Sequence, residues 1–179
     1  MAISLEGLVP EFRTNALALL ADLAIRGIEM RPCAALRSPR EQAILWRQSR
    51  AREEIEGAAS RLRSQGAFFL AETLVSVGPQ HGQHVTNSLP GFSWHQWGEA
   101  IDCFWVINGF AEWSTNRIVD GVNGYRMYSA SAKSAELHAG GNWSSFKNWP
   151  HVQARKAGSP VAEGLTVQQI DVEMKKRFG

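Results

Sequence analysis

Residues 93–102, Ser-Trp-His-Gln-Trp-Gly-Glu-Ala-Ile-Asp, place an imidazole and a carboxylate seven positions apart across a glycine. Asp102 lies inside Ala-Ile-Asp-Cys-Phe-Trp-Val-Ile, a run that is apolar on both faces of any strand it forms. A carboxylate there costs several kcal/mol unless it is paired or bound to a metal. His95, on the near side of the Gly98 bend, suits a second ligand converging on one zinc ion. A buried Asp that caps a loop or pairs with an arginine accounts for these ten residues equally well.

A second stretch adds to the first: Gly140-Gly141-Asn142-Trp143, then Phe146-Lys147-Asn148-Trp149-Pro150-His151. His151 opens a short strand behind a Trp-Pro pair, which restricts the backbone leading into it. It supplies a third ligand and leaves a fourth position for water, as catalytic zinc requires. A lone histidine among aromatics is ordinarily a packed core residue; beside His95 and Asp102 the metal reading is preferred. Trp94, Trp97, Trp143 and Trp149 crowd these segments, which predicts an aromatic-walled groove as well as core packing. Glu99 stands three residues before Asp102, so on a strand it points to the opposite face and reads as a solvated or structural carboxylate. His81 and His84 read as surface-loop residues, and His138 as the end of a helix, where the dipole favours a cation.

The elements that must position these groups follow from periodicity and caps. Phe12, Ala16, Leu19, Leu20 and Leu23 form the apolar face of a helix from Pro10 to about Arg26, with Gly27 at its C-terminus. Residues 28–36 read as a strand. Ser38-Pro39-Arg40-Glu41 has the form of a helix start, with Ser38 as N-cap and Glu41 three residues on. Residues 51–77 read as amphipathic helix interrupted at Gly57 and Gly66, and Gly78-Pro79 ends them. A short strand is expected at 84–87, a turn at Pro90-Gly91, a strand at 100–107, and a loop-rich stretch over 108–127. A helix is expected at 129–138, a turn at Gly140-Gly141, a strand at 151–154, and a final helix at 167–177 capped by Thr166. No βαβ alternation appears, so the fold class is α+β, a small central antiparallel sheet flanked by helices.

The 179 residues suit one domain spanning 1–179, and 44% hydrophobic with 20% charged residues is ordinary globular composition. A net charge of +2 and a pI near 8.7 are far from the basic stripe of a nucleic-acid binder. Cys33 and Cys103 lack CxxC spacing and read as buried thiols rather than a disulfide. The first twelve residues have neither a basic start nor a long apolar run, and no stretch approaches a membrane span. The expectation is therefore a monomer made in the bacterial cytoplasm without a signal peptide, with no membrane insertion.

The two motif stretches resemble the VanY-type zinc peptidases, the D-alanyl-D-alanine carboxypeptidase and L-alanyl-D-glutamate endopeptidase family that includes phage endolysins. Its Ser-x-His-x-x-Gly-x-Ala-x-Asp pattern is met at Ser93, His95, Gly98, Ala100 and Asp102. Its Gly-Gly-x-Trp segment and final His are met at Gly140, Gly141, Trp143 and His151, and its Arg-Ser-x-x-Glu-Gln at Arg37, Ser38, Glu41 and Gln42. The resemblance runs over about residues 10–155. It implies a Hedgehog/D,D-peptidase-like fold, zinc on His95, Asp102 and His151, and substrate contacts from Arg37, Ser93 and Gln42. A guanidinium suits a substrate carboxylate because it presents a planar fork of donors; the bland fate of Arg37 is a salt bridge to Glu41. The implied substrate is peptidoglycan, most simply cut between L-Ala and D-Glu by a phage or prophage lysis enzyme that reaches the wall after release. A D-alanyl-D-alanine carboxypeptidase and a non-catalytic zinc-containing wall-binding domain stand as alternatives.

One position departs from the family. Its proton-transferring acid, three residues before the last His, falls on Asn148. An amide has almost no basicity at neutral pH, so Asn148 reads as an inactivating Asp-to-Asn change, deliberate or natural, that spares fold and zinc binding.

Overall fold

A computed structural model describes residues 3–144 and 146–179. They divide into two compact units, one of residues 3–36 and 98–156 and one of 37–97 and 157–179.

The first unit is built on an antiparallel sheet. Its strands are β1 (Glu29–Ala34), β2 (Ala100–Ile107), β3 (Phe110–Glu112), β4 (His138–Ala139) and β5 (His151–Gln153). The order is β1-β2-β5-β4, with β3 also on β2, and every pairing is antiparallel. Two helices belong to this unit, α1 (Pro10–Ile25) and α5 (Gly124–Ser131). Period-two alternation along β2 sends Ile101, Cys103, Trp105 and Ile107 into an apolar cluster with Phe12, Leu19, Leu23 and Tyr128. Each of those large side chains contributes roughly 1.5–3 kcal/mol when fully buried. Asp102, Phe104 and Val106 therefore share the other face of β2, a fact on which the site depends.

The second unit is helical: α2 (Pro39–Arg47), α3 (Arg52–Ser64), α4 (Phe68–Ser76) and α6 (Val167–Phe178). Trp46, Leu62, Leu70, Leu74, Ile170 and Met174 form its core. The capping box expected at Ser38/Glu41 is present, and the expected cap Thr166 forms a box with Gln169. Inside this core the Asp171 carboxylate accepts the Leu70 N–H at 2.7 Å, satisfying a donor at the start of α4 that has no helical partner.

The α+β class and antiparallel sheet agree with the sequence reading, and four local expectations need correction. Gly57 does not interrupt anything; it lies within α3, and only Gly66 separates α3 from α4. Residues 84–87 form no strand, since no neighbouring strand pairs with them and Val85 is 57% exposed. Instead His84 Nε2 bonds Asn87 Oδ1 at 2.8 Å. The supposed loop 108–127 contains β3 and the start of α5, which Asn123 caps by accepting the Arg126 N–H at 3.0 Å. The helix expected to reach His138 ends at Ser131, tightens through a 3₁₀ turn at Ala132–Ala135, and reverses at Glu136, whose φ is +58°. His138 is a strand residue in β4 and not a helix terminus.

Candidate metal centre

His95 sits in a 3₁₀ turn, Trp94–Trp97, held from several sides. The Ser93 hydroxyl accepts the His95 N–H at 3.4 Å, and the Gln96 side chain accepts the Ser93 N–H at 3.2 Å. The two indoles anchor the turn's flanks: Trp94 donates to the Ala157 carbonyl at 2.7 Å and Trp97 to that of Gly91 at 3.0 Å. These tryptophans are committed to packing and hydrogen bonds. Gly98 follows with φ +72°, and a Cβ there would lie 2.8 Å from the Gly7 carbonyl oxygen. Only glycine satisfies both demands, which is the physical reason for the motif's glycine.

Asp102 and His151 are cross-strand partners in the β2–β5 ladder, so their side chains rise from the same face. The Trp149-Pro150 turn delivers His151: its N–H donates to the Asn148 carbonyl at 3.1 Å, and the Asn148 N–H donates to the Gly140 carbonyl at 3.1 Å. A Cβ on Gly140 would lie 2.5 Å from that Asn148 oxygen, and one on Gly141 would meet the Trp149 ring at 2.5 Å. The Gly-Gly pair is thus the seat of the turn that aims His151. The Trp143 ring leans on the His151 ring at 5.3 Å between centroids.

Ligand atoms of His95, Asp102 and His151 all lie within 4.8 Å of one another. Donors on tetrahedral zinc stand about 3.3 Å apart, given bonds of about 2.0–2.2 Å. The Asp102–His151 edge is already 2.9 Å, Oδ1 to Nδ1. Two imidazoles and one carboxylate are the donor set of a catalytic zinc site with an open position. His95 and His151 are buried, while the Asp102 side chain keeps 23% of its surface exposed. The three residues expected as ligands are therefore brought together.

Gln153 was not foreseen and completes the centre. It is buried, and its amide nitrogen donates to the Arg155 carbonyl at 2.5 Å. Its Oε1 lies 3.0 Å from His151 Nε2, an acceptor that favours hydrogen on that nitrogen once a metal takes Nδ1. With hydrogen on Nε2, the Nδ1 lone pair faces Asp102, where a metal would sit. Outer partners of this kind are typically worth 10–100-fold in metal affinity. Gln153→Leu should weaken zinc binding by about that factor in a competition titration; unchanged affinity would mean the tautomer is fixed elsewhere. The signal was legible: residue 153 is two after a strand ligand and so on its face.

The remaining expected site residues fall as follows. The Arg37 N–H donates to the His95 carbonyl at 3.2 Å, and its guanidinium donates to Gln42 Oε1 at 2.9 Å. Glu41 accepts from the Ser38 backbone and hydroxyl at 2.7 and 2.8 Å. Gln42, expected to touch substrate, is fully buried. Its amide donates to the Ser88 carbonyl at 2.7 Å, and its oxygen also takes a hydrogen bond from Gln96 at 3.2 Å. Gln42 therefore orients Arg37 and braces the His95 turn. Ser93 caps that turn, as described. Asn148 is half-buried in the loop before His151.

Glu99 is structural: it is buried and held by the Arg155 fork at 2.5 and 3.1 Å. Neither cysteine is in a disulfide. Cys33 is half-buried and donates to the Asp102 carbonyl at 3.4 Å. Burial pushes the Cys103 thiol well up from its ordinary value, and Tyr128 donates to its sulfur at 3.3 Å. That is an inert core thiol. Among the described residues no helix is long and apolar enough to cross a membrane.

The family model described as VanY, D-alanyl-D-alanine carboxypeptidase, matches residues 6–120, well over half of the chain. The match contains Arg37, His95 and Asp102; His151 lies beyond it and is joined to the set by the β2–β5 register. Among solved structures, an L-Ala D-Glu endopeptidase of Serratia marcescens, ChiX, is 18% identical, with 83% of this chain and 81% of that one covered at a TM-score of 0.43. A mutant of the vancomycin-resistance D,D-pentapeptidase VanY from a VanB-type resistance cassette, in complex with Zn(II), is 13% identical, with 95% and 87% covered at a TM-score of 0.48. A search of curated proteins gives no match. The chain belongs to the VanY family of peptidoglycan peptidases and brings His95, Asp102 and His151 together in a cluster able to hold a metal ion.

Proposed function

We propose that this protein is a zinc-dependent endopeptidase of peptidoglycan stem peptides, acting on the L-Ala–D-Glu bond, in a form silenced by Asn148. The observation that carries the hydrolytic reading is the convergence of three ligand atoms within 4.8 Å. When bound, zinc supplies Lewis-acid polarisation of the scissile carbonyl and acidifies the attacking water. The chain's own residues do the rest. Arg37, fixed by Gln42 at 2.9 Å, offers its guanidinium to a substrate carboxylate. Residue 148, three positions before His151 on a loop tied at both its N–H and its carbonyl, is where a carboxylate would take the water proton and pass it to the leaving amine. An amide cannot do so.

Endopeptidase action is supported by the sheet face beyond Asp102. Two residues along β2 the surface remains accessible, with Phe104 half-buried and Trp113 exposed. A substrate continuing past the metal has a surface to follow there. The family model's description favours the second reading, removal of a terminal D-Ala. Mass spectrometry of muropeptides digested with Asn148→Asp separates the two. Products cut between L-Ala and D-Glu support the proposal, and free D-Ala as the product contradicts it. We further propose that the protein acts on the wall as a phage or prophage lysin after release from the cytoplasm that makes it.

A further inference from the structure

The face of β2 that carries Asp102 continues into an aromatic platform that the zinc chemistry does not use. Phe104 follows Asp102 by two residues, which places it about 7 Å further along the same face. Directly across the ladder on β1 its partner is Arg31. The guanidinium of Arg31 lies 6.0 Å from the Phe104 ring centroid and is ion-paired to Glu29 at 2.5 Å. On the other side the β2–β3 register runs Trp105↔Glu112, so Trp113 comes opposite Phe104, and the two rings meet at 5.1 Å between centroids. Trp113 is 59% exposed, although an indole of its size is ordinarily well covered. The row Arg31–Phe104–Trp113 therefore lies one pleat beyond the metal ligand, with a wet indole and a charged pair at its edges.

We propose that this row is a subsite for the glycan of peptidoglycan, holding the N-acetylated sugar that bears the stem peptide under attack. The inference rests on the L-Ala–D-Glu reading. In the stem, only L-Ala and a three-carbon lactyl bridge separate that bond from the sugar ring, a span of roughly 7 Å. The terminal D-Ala–D-Ala bond lies three residues further out, about 10 Å more. A sugar at the platform thus matches a scissile bond at the metal for the first bond and not for the last. The chemistry also fits. A pyranose has an apolar C–H face that lies on an indole and an equatorial rim of hydroxyl and acetamido groups. Arg31 and Glu29 offer that rim donors and acceptors.

The test uses the full chain with Asn148 in place, loaded with zinc, and measures binding of two ligands by calorimetry. One is the disaccharide-tripeptide of peptidoglycan, the other the same tripeptide without sugar. The disaccharide form should bind roughly five- to tenfold more tightly, the increment expected of one aromatic stacking contact. Trp113→Ala should abolish that preference and leave the sugar-free peptide unaffected. Phe110→Ala is the control: Phe110 is 77% exposed on the same hairpin but pairs with Ile107, which faces the core side, so the preference should persist. Equal affinity for the two ligands overturns the glycan subsite. So does a Trp113→Ala variant that weakens both ligands alike, which would make the platform a peptide subsite. Failure of the parent reading looks different: digestion by Asn148→Asp would then release free D-Ala, whatever the ratio of the two affinities.

Discussion

Replacing Asn148 with Asp raises peptidoglycan hydrolysis by at least about a hundredfold, the lower end of what a positioned general base contributes. The two side chains have nearly the same shape, and the main chain of residue 148 is tied to Gly140 and His151 at 3.1 Å on both sides. The variant should therefore fold and bind zinc as the parent does, and differ only in having a group that is ionised at neutral pH. The measurement is turbidity loss of purified walls, read against zinc content and melting temperature in the same preparations. A rate that stays within a few-fold of the parent, with zinc and stability unchanged, would place the proton transfer on some other residue. Glu99 is a poor substitute, because its carboxylate is buried and engaged by both nitrogens of the Arg155 fork.

The second large effect is expected at Asp102. Removal of an outer hydrogen-bonding partner costs about 10–100-fold in metal affinity, so loss of a ligand itself, as in Asp102→Ala, should cost more than a hundredfold. The fold should tolerate it. The Asp102 side chain is partly exposed, and in the metal-free protein its Oδ1 hydrogen-bonds with His151 Nδ1 at 2.9 Å. Such a bond is worth about 0.5–1.5 kcal/mol. The distinguishing readout is the zinc-dependent rise in melting temperature. Metal at a thousand times its Kd stabilises the parent by about 4 kcal/mol. In Asp102→Ala that gain should fall to about 1.4 kcal/mol or less while the metal-free melting temperature moves by a few degrees. A variant that still gains full stability from zinc would remove Asp102 from the ligand set.

Much of the centre was legible in the sequence because ligands impose demands that few residues meet. A carboxylate in the apolar run of β2 needs a partner, a histidine behind Trp-Pro needs a fixed approach, and together they predicted the cluster. The helix starts at Ser38 and Thr166 were readable for the same local reason, since a capping box is written within four residues. What escaped the sequence depends on contacts distant along the chain. Residues 108–127 read as loop-rich, yet Asn123 caps a helix there, and Gly57 reads as a break but lies inside α3. Residues 84–87 have strand-like composition, but a strand exists only where a partner is available, and they have none in the sheet. Gln42 looked like a substrate contact because its place in the motif says nothing of burial. Its amide proves to be spent on Ser88, Gln96 and Arg37.

Zinc titration of the metal-free chain, followed directly and repeated with His95→Ala, puts the most at stake. One ion per chain, with binding weakened by more than a hundredfold in His95→Ala, is the result expected if His95, Asp102 and His151 close on a single metal. Substoichiometric uptake by the parent, or undiminished binding by the variant, would show that these three side chains do not form the site, and the peptidase reading would fall with it.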